Sequence, residues 1–294
     1  MKVVGIGGGH GLSVTLRAIR TYSDDISAVV TVADDGGSSG RLTRELGIPP
    51  PGDIRNCLVA LSDRDDIGEI FQHRFTGGAL TGHTVGNLVI AGLVELTGDL
   101  ASAVDRAGQM LESHGRVYPA TNELVRLRAR TGAGVVKGQV RVAKTTSPIQ
   151  AVYLEPSSPR AYPGAVEAIM AADQVVLGPG SLFTSLIATL LVPGIKEALQ
   201  QTSATRVFVC NTRMQKGETE GLDATAHVEA LMAHAGPYCI DTVLIQTPRI
   251  DEDGVEVDLE ALSFSRIDVA SFDMAAPDGS HDPQRLAAAL RTIV

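Results

Sequence analysis

The feature that most limits how this chain can fold is the glycine run after its first apolar stretch. Residues 2–6 read as a short buried strand, 7–11 as a loop, and 12–21 as a helix with Leu12, Leu16 and Ile19 on one face. Five of the seven residues from Gly5 to Gly11 are glycine, a density that suits close approach of the backbone to a ligand. A strand that passes through such a loop into a helix aims amide groups at whatever sits on the helix N-terminus, and phosphate is the group they favour. The run is not a strict dinucleotide fingerprint, because His10 falls where the third glycine would be when counted from Gly5, and no Gly-Lys-Ser/Thr follows to make a P-loop. Gly7, Gly8, Gly9, His10, Gly11 and Leu12 are the candidate phosphate-binding residues here.

The rest of the chain repeats the strand-to-helix theme. Residues 26–32 are rich in β-branched side chains and read as a second strand, parallel to the first because the helix between them is a crossover. Further strands are expected at 174–177, 206–211 and 242–246, with helices at 165–171, 182–191 and 224–234 and a last helix from about 283 to 293. Such alternation predicts an α/β fold: a doubly wound, mostly parallel Rossmann-like sheet with helices on both faces. We expect residues 1–294 to form a single nucleotide-binding domain with a helical insertion at about 54–130. A small β-region at about 135–155 is expected around a Ser147-Pro148 turn.

Several polar clusters fall at the predicted strand ends. Asp34 and Asp35 stand at the carboxyl end of the second strand, where a doubly wound sheet places its ligand crevice. Paired carboxylates there can hold Mg²⁺ through its waters, or accept a proton from a hydroxyl nucleophile if the protein is an enzyme. Gly36, Gly37, Ser38 and Arg41 follow directly. Pro49-Pro50-Pro51-Gly52 leads into a helix with Asp53 as its expected N-cap and Arg55 and Asn56 in its first turn, Arg55 being able to clamp a phosphate. His83 and Asn87 lie at another loop-to-helix junction. Gly178, Gly180 and Ser181 form a second glycine loop whose amides and hydroxyls can cradle a second phosphate, and Asn211 ends the next strand on the same edge.

Composition narrows the partners. A formal charge of −9 with no basic stripe argues against a nucleic-acid polymer, whereas amide groups bind a small anion without net positive charge. Cys57, Cys210 and Cys239 lack C-x-x-C spacing, and the histidines lack ligand spacing, so neither a disulfide framework nor a zinc site is expected. The chain opens directly into its first strand, leaving no room for a signal peptide, and no apolar run approaches the roughly 20 residues of a membrane span. A cytoplasmic protein with a small-molecule nucleotide ligand is expected, and a homo-oligomer is compatible with these features.

Taken together, the motifs resemble a known family. They are Gly7-Gly8-Gly9-His10-Gly11-Leu12-Ser13, the segment from Thr31 to Arg41, Pro50-Pro51-Gly52-Asp53-Ile54-Arg55-Asn56, Gly82-His83, Gly86-Asn87-Leu88, Gly178-Pro179-Gly180-Ser181-Leu182 and Gly217-Glu218-Thr219-Glu220-Gly221. This set is similar to the YvcK family, the gluconeogenesis factors, related to the 2-phospho-L-lactate transferase CofD. The resemblance implies a nucleotide-sugar binder, with UDP-N-acetylglucosamine as ligand and ties to carbon metabolism, cell shape and envelope synthesis. The CofD relatives imply the alternative, a Mg²⁺-dependent transferase using a nucleoside diphosphate-linked donor such as a GDP derivative. An NAD-linked oxidoreductase is the weaker third reading, since the glycine fingerprint is wrong. Two departures from the branch stand out: residues 248–272 are shorter than is usual, and Ser280-His281 replaces an Arg-His pair in a region expected to contact the sugar.

Overall fold

The computed structural model of the chain describes residues 1–263 and 267–293. Its strands, in chain order, are β1 (Lys2–Gly7), β2 (Asp25–Val30), β3 (Arg116–Pro119), β4 (Arg126–Thr131), β5 (Gly134–Lys137), β6 (Ile149–Glu155), β7 (Gln174–Leu177), β8 (Thr205–Val209), β9 (Thr242–Gln246) and β10 (Asp268–Phe272). The helices of the first half are α1 (Gly9–Ile19), α2 (Gly37–Leu46), α3 (Gly52–Ala60), α4 (Asp65–Gln72), α5 (Val85–Thr97), α6 (Leu100–Met110) and α7 (Gln139–Ala143).

Seven strands form one sheet in the order β10-β9-β8-β7-β1-β2-β3, and every neighbouring pair in it is parallel. The central strands are buried on both faces and so read as unbroken apolar runs: Val175, Val176 and Leu177 of β7 and Val243, Leu244 and Ile245 of β9 are all in the core. Parallel neighbours need crossover connections, and the helices that make them cover the sheet. α1 packs on α3 and on the C-terminal helix Pro283–Leu290, while helices Pro163–Met170 and Pro193–Gln201 pack together across the sheet. Gln174 pins the C-terminal helix from within the core, donating to the carbonyls of Leu290 at 3.1 Å and Ile293 at 3.0 Å and accepting from the Tyr22 hydroxyl. Cys57, Cys210 and Cys239 are free thiols inside the fold. No single described helix is long and apolar enough to cross a membrane.

Three local expectations change. The insertion is helical only as far as Met110, after which β3 returns to pair with β2 as the edge of the main sheet. The small β-region begins earlier than 135, because β4 is its central strand, antiparallel to both β5 and β6. Residues 139–143, expected to continue a strand, form the short helix α7. β10 is a further edge strand with little buried surface, and that polarity hid it from a pattern search.

The strand order reverses between β1 and β7, since the chain runs to one side through β2 and β3 and to the other through β8, β9 and β10. The two glycine loops leave the carboxyl ends of these two strands and meet over the reversal. A methyl group on Gly11 would overlap the Pro179 carbonyl, so only glycine permits the contact. Gly11→Ala is therefore expected to destabilise the fold by about 1–3 kcal/mol. Gly92→Ala, on an exposed turn of α5 with open space around it, should stabilise by about 0.5–1 kcal/mol. Urea denaturation of the two variants checks both signs.

Candidate functional site

At the strand-order reversal lies a cavity of 340 Å³, walled on one side by Gly8 to Gly11 and on the other by Gly180, Ser181, Thr184 and Ser185. Gly8 is the N-cap of α1 and brings no capping side chain. The first amide of the helix, that of Gly9, donates to Asp53. His10 and Gly11 follow it on the cavity wall, so the positive end of the α1 dipole faces the space. A side chain on Gly8 would collide with Asp53 and Thr31, which explains a third consecutive position without one.

Two carboxylates line the same space, and they are Asp34 and Asp53 rather than Asp34 and Asp35. Asp34 turns back on its own loop, accepting from the Gly36 amide at 2.9 Å and from the Ser39 hydroxyl. Burial pushes its carboxyl above the ordinary range, and the neighbouring Asp35 charge adds to this. Asp53 is not the N-cap of α3; Pro51 holds that place and Asp53 sits in the first turn. Burial, reinforced by the Asp34 charge, pushes the Asp53 carboxyl up to about 7. Asp35 points elsewhere: its Oδ1 accepts from the Val140 amide at 2.9 Å and so caps the start of α7. That contact carries Gln139 to the cavity wall, a residue with no sequence signal of its own.

The second glycine loop is already supplied with acceptors. The Gly180 amide donates to Asn211 Oδ1 at 3.2 Å. At the head of the helix Leu182–Leu190, the amides of Phe183 and Thr184 both donate to Glu218 Oε1, at 2.7 and 2.9 Å, and the Thr184 hydroxyl donates to Oε2. Glu218 was visible in the sequence only as part of a resemblance motif.

A second lobe of 380 Å³ adjoins the first and shares His10, Gly11, Gly180 and Gln215 with it. Its wall includes Asn211, Arg213 and the turn Asp278-Gly279-Ser280-His281. Three buried polar atoms in this wall have no partner: Asn211 Nδ2, Arg213 Nε and Gln215 Oε1. Two donors and one acceptor are thus left without partners inside this wall within five residues of the chain, and an unpaired buried polar atom costs about 1–3 kcal/mol and calls for a partner. His281 donates through Nε2–H to the Cys210 carbonyl at 3.2 Å, and burial brings its imidazole down to about 4, so it is neutral at physiological pH.

The remaining candidates stand behind the cavity. Arg55 is buried, with its guanidinium donating to Thr84 at 2.6 Å, Asn87 at 2.9 Å and Asn56 at 2.6 Å; burial lowers it to about 10. Ser38 accepts from Asn87 and bonds the His83 imidazole at 3.0 Å, so these residues form a polar network that ties α2, α3 and α5 together. Arg41 donates to the Thr81 carbonyl. Neither arginine lines the cavity, so Arg55 does not stand as the phosphate clamp expected of it. Leu12 is wholly in the core, Gly7 ends β1, Gly178 follows β7, and Gly36 and Gly37 start α2. Among the described residues there is no group of three or more His, Cys, Asp or Glu able to hold a metal by itself.

A family model described as 2-phospho-L-lactate transferase CofD matches residues 3–276. The gluconeogenesis factor of Halalkalibacterium halodurans is 46% identical over 254 residues, covering 85% of this chain and 79% of that protein. The gluconeogenesis factor of Bacillus subtilis is 46% identical over 255 residues, with coverages of 86% and 80%. A crystal structure of a UPF0052 family member from Bacillus halodurans superposes with a TM-score of 0.95 at 40% identity, covering 99% of this chain and 98% of that one.

The Asp53 environment sets a pH dependence. Between about pH 4 and 7 the folded protein keeps a proton that the unfolded chain has released, so stability falls as pH rises through that window. Asp53→Asn keeps an acceptor for the Gly9 amide without the charge. Relative to wild type it should be about 1–2 kcal/mol more stable at pH 8 and nearly equal at pH 4, a figure discounted for partial exposure to the cavity. Urea midpoints at the two pH values test the sign.

Proposed function

The chain belongs to the CofD family, and on that premise we propose that it is a cytoplasmic nucleotide-sugar-binding regulator of the gluconeogenesis-factor kind. Its ligand in this reading is a UDP-sugar resembling UDP-N-acetylglucosamine, and its role lies in carbon metabolism, cell shape and envelope synthesis. The observation that carries the proposal is the pairing of unlike lobes in one cleft. One presents a helix N-terminus for phosphate, and the other is walled by Asn211, Arg213 and Gln215, whose buried donors and acceptor lack partners that hydroxyl, amide or base groups would supply.

A diphosphate at α1 meets the negative charges of Asp34 and Asp53, so binding calls for a compensating cation or proton. The donor set fits Mg²⁺, which typically takes one or two carboxylates and completes its shell with ligand phosphates and water. Bound there, the ion would neutralise phosphate charge. Asp34 and Asp53 would hold it, the α1 amides would orient the diphosphate, and Gln139 and Gln215 would close the wall around it.

The same acid pair favours the second reading, a transferase acting on a nucleoside diphosphate-linked donor. A carboxyl poised near neutrality, as Asp53 is, has the proton affinity required of a base toward an acceptor hydroxyl.

In melting experiments UDP-N-acetylglucosamine and UDP, with Mg²⁺, should each raise the midpoint well above UMP or uridine at equal concentration. The increment should shrink with salt but persist, and Asp34→Asn should remove its Mg²⁺-dependent part. Equal effects of uridine and UDP would reject the diphosphate site. Phosphorus NMR of the bound ligand separates the two readings: an unchanged UDP-sugar over hours supports the regulator, and transfer of the sugar-phosphate group to an added hydroxyl acceptor, with UMP as the leaving group, supports the transferase.

A further inference from the structure

Glu218 belongs to a motif that the cavity description leaves without a role, yet it is buried and makes a dense set of contacts. Its carboxylate receives the Phe183 and Thr184 amides, the Thr184 hydroxyl at 3.1 Å and the Ser181 hydroxyl. Ser181 in turn receives Gln215 Nε2 at 3.4 Å. Two helix-head amides and two hydroxyls converging on one anion reproduce what a bound phosphate receives at a helix N-terminus. The turn that delivers the carboxylate is firmly placed. Gly217 has φ +84° and lies so close to the carbonyls of Ala143 and Thr145 that a side chain would crowd them. The buried Thr219 bonds Gln215 in both directions, at 2.8 Å each way.

We propose that Glu218 is a specificity-determining residue, an internal anion that occupies the amide site of the second glycine loop and closes it to phosphate. The ligand's phosphates are then confined to α1, and the part that touches Ser181, Thr184 and Ser185 is uncharged. This second half rests on the nucleotide-sugar reading above; the occupation of the amides by Glu218 does not. Ser181 and Thr184 both line the cavity, so the Glu218 charge stands one side chain behind its wall, where it repels an anion and leaves a sugar hydroxyl unopposed.

Two variants test the proposal. Glu218→Gln keeps an oxygen for both amides and removes the charge, whereas Glu218→Ala empties the site. At fixed ionic strength set with chloride, inorganic phosphate and acetate should each raise the melting temperature of Glu218→Ala by several degrees more than that of wild type, because either anion refills the vacated amides. Affinities for UDP-N-acetylglucosamine and UTP supply a readout that a purely structural cap would not move. Wild type should prefer the sugar nucleotide, and Glu218→Gln should narrow that preference about tenfold by removing the charge that repels the third phosphate, equivalent to ~1.4 kcal/mol.

Anion rescue no greater in Glu218→Ala than in wild type would overturn the occupation of the amides by Glu218. A preference unchanged within about twofold in Glu218→Gln would overturn its role in specificity. If neither nucleotide binds while anion rescue is seen, the nucleotide-sugar reading fails and the internal anion stands. If Glu218→Ala does not fold, the Glu218→Gln preference decides.

Discussion

The structure depends on one close contact, the approach of Gly11 to the Pro179 carbonyl over the point where strand order reverses. β1 and β7 are adjacent parallel strands, and each delivers its loop to the same carboxyl edge. Because Gly11 meets the second loop at the backbone of Pro179 and Gly180, with no side chain between them, the head of α1 and the head of the helix Leu182–Leu190 come to face each other across a narrow space. The Thr15 hydroxyl stitches the pair by donating to the Gly178 carbonyl at 2.8 Å, deep in the core. Everything that lines the cavity is hung from this arrangement.

The electrostatics of the two faces differ. The head of α1 is served by Asp53, a carboxyl lifted towards neutrality, and the opposing head is neutralised by Glu218 in a complete set of hydrogen bonds. With both helix heads provided with acids, no cationic side chain is required for the resting protein, and Arg55 and Arg41 are free to build the wall behind. The same distribution makes the site asymmetric towards a ligand. Charge is accommodated on one side, and hydrogen bonding without charge is offered by Ser181, Asn211 and Gln215 on the other. Arg213 itself is paired with Asp251 at 2.6 Å, which moderates its charge in the second lobe.

Much of the fold was legible because its signals are local. Apolar runs such as Gln174–Leu177 and Thr242–Gln246 mark strands buried on both faces, and glycine loops directly after them mark the ligand edge. β3 and β10 were not legible: β3 has only four residues and ends on Pro119, too short for its alternation to register, and β10 exposes half-buried residues with no periodicity. Within the site, backbone-defined positions such as Gly8, Gly9, Gly11 and Gly180 could be read from residue type. Side-chain directions could not. Asp35 beside Asp34, and Arg55 beside Asp53, look equivalent along the chain, yet Asp35 is turned away to cap α7 and Arg55 into the network with Thr84 and Asn87. Those outcomes depend on segments far off in sequence, as does the placing of Gln139 and Glu218, and a local pattern cannot carry them.

The central claim is that phosphate is bound at the head of α1 and not at the head of the helix Leu182–Leu190. A crystal soaked with UDP-N-acetylglucosamine and Mn²⁺, with the metal located by anomalous scattering, tests it most directly. The account predicts the diphosphate against the amides of His10 and Gly11, the metal between Asp34 and Asp53, and Glu218 still bonded to Phe183 and Thr184. Phosphate density on the Phe183 and Thr184 amides with Glu218 displaced, or at the Arg55 guanidinium, would contradict it.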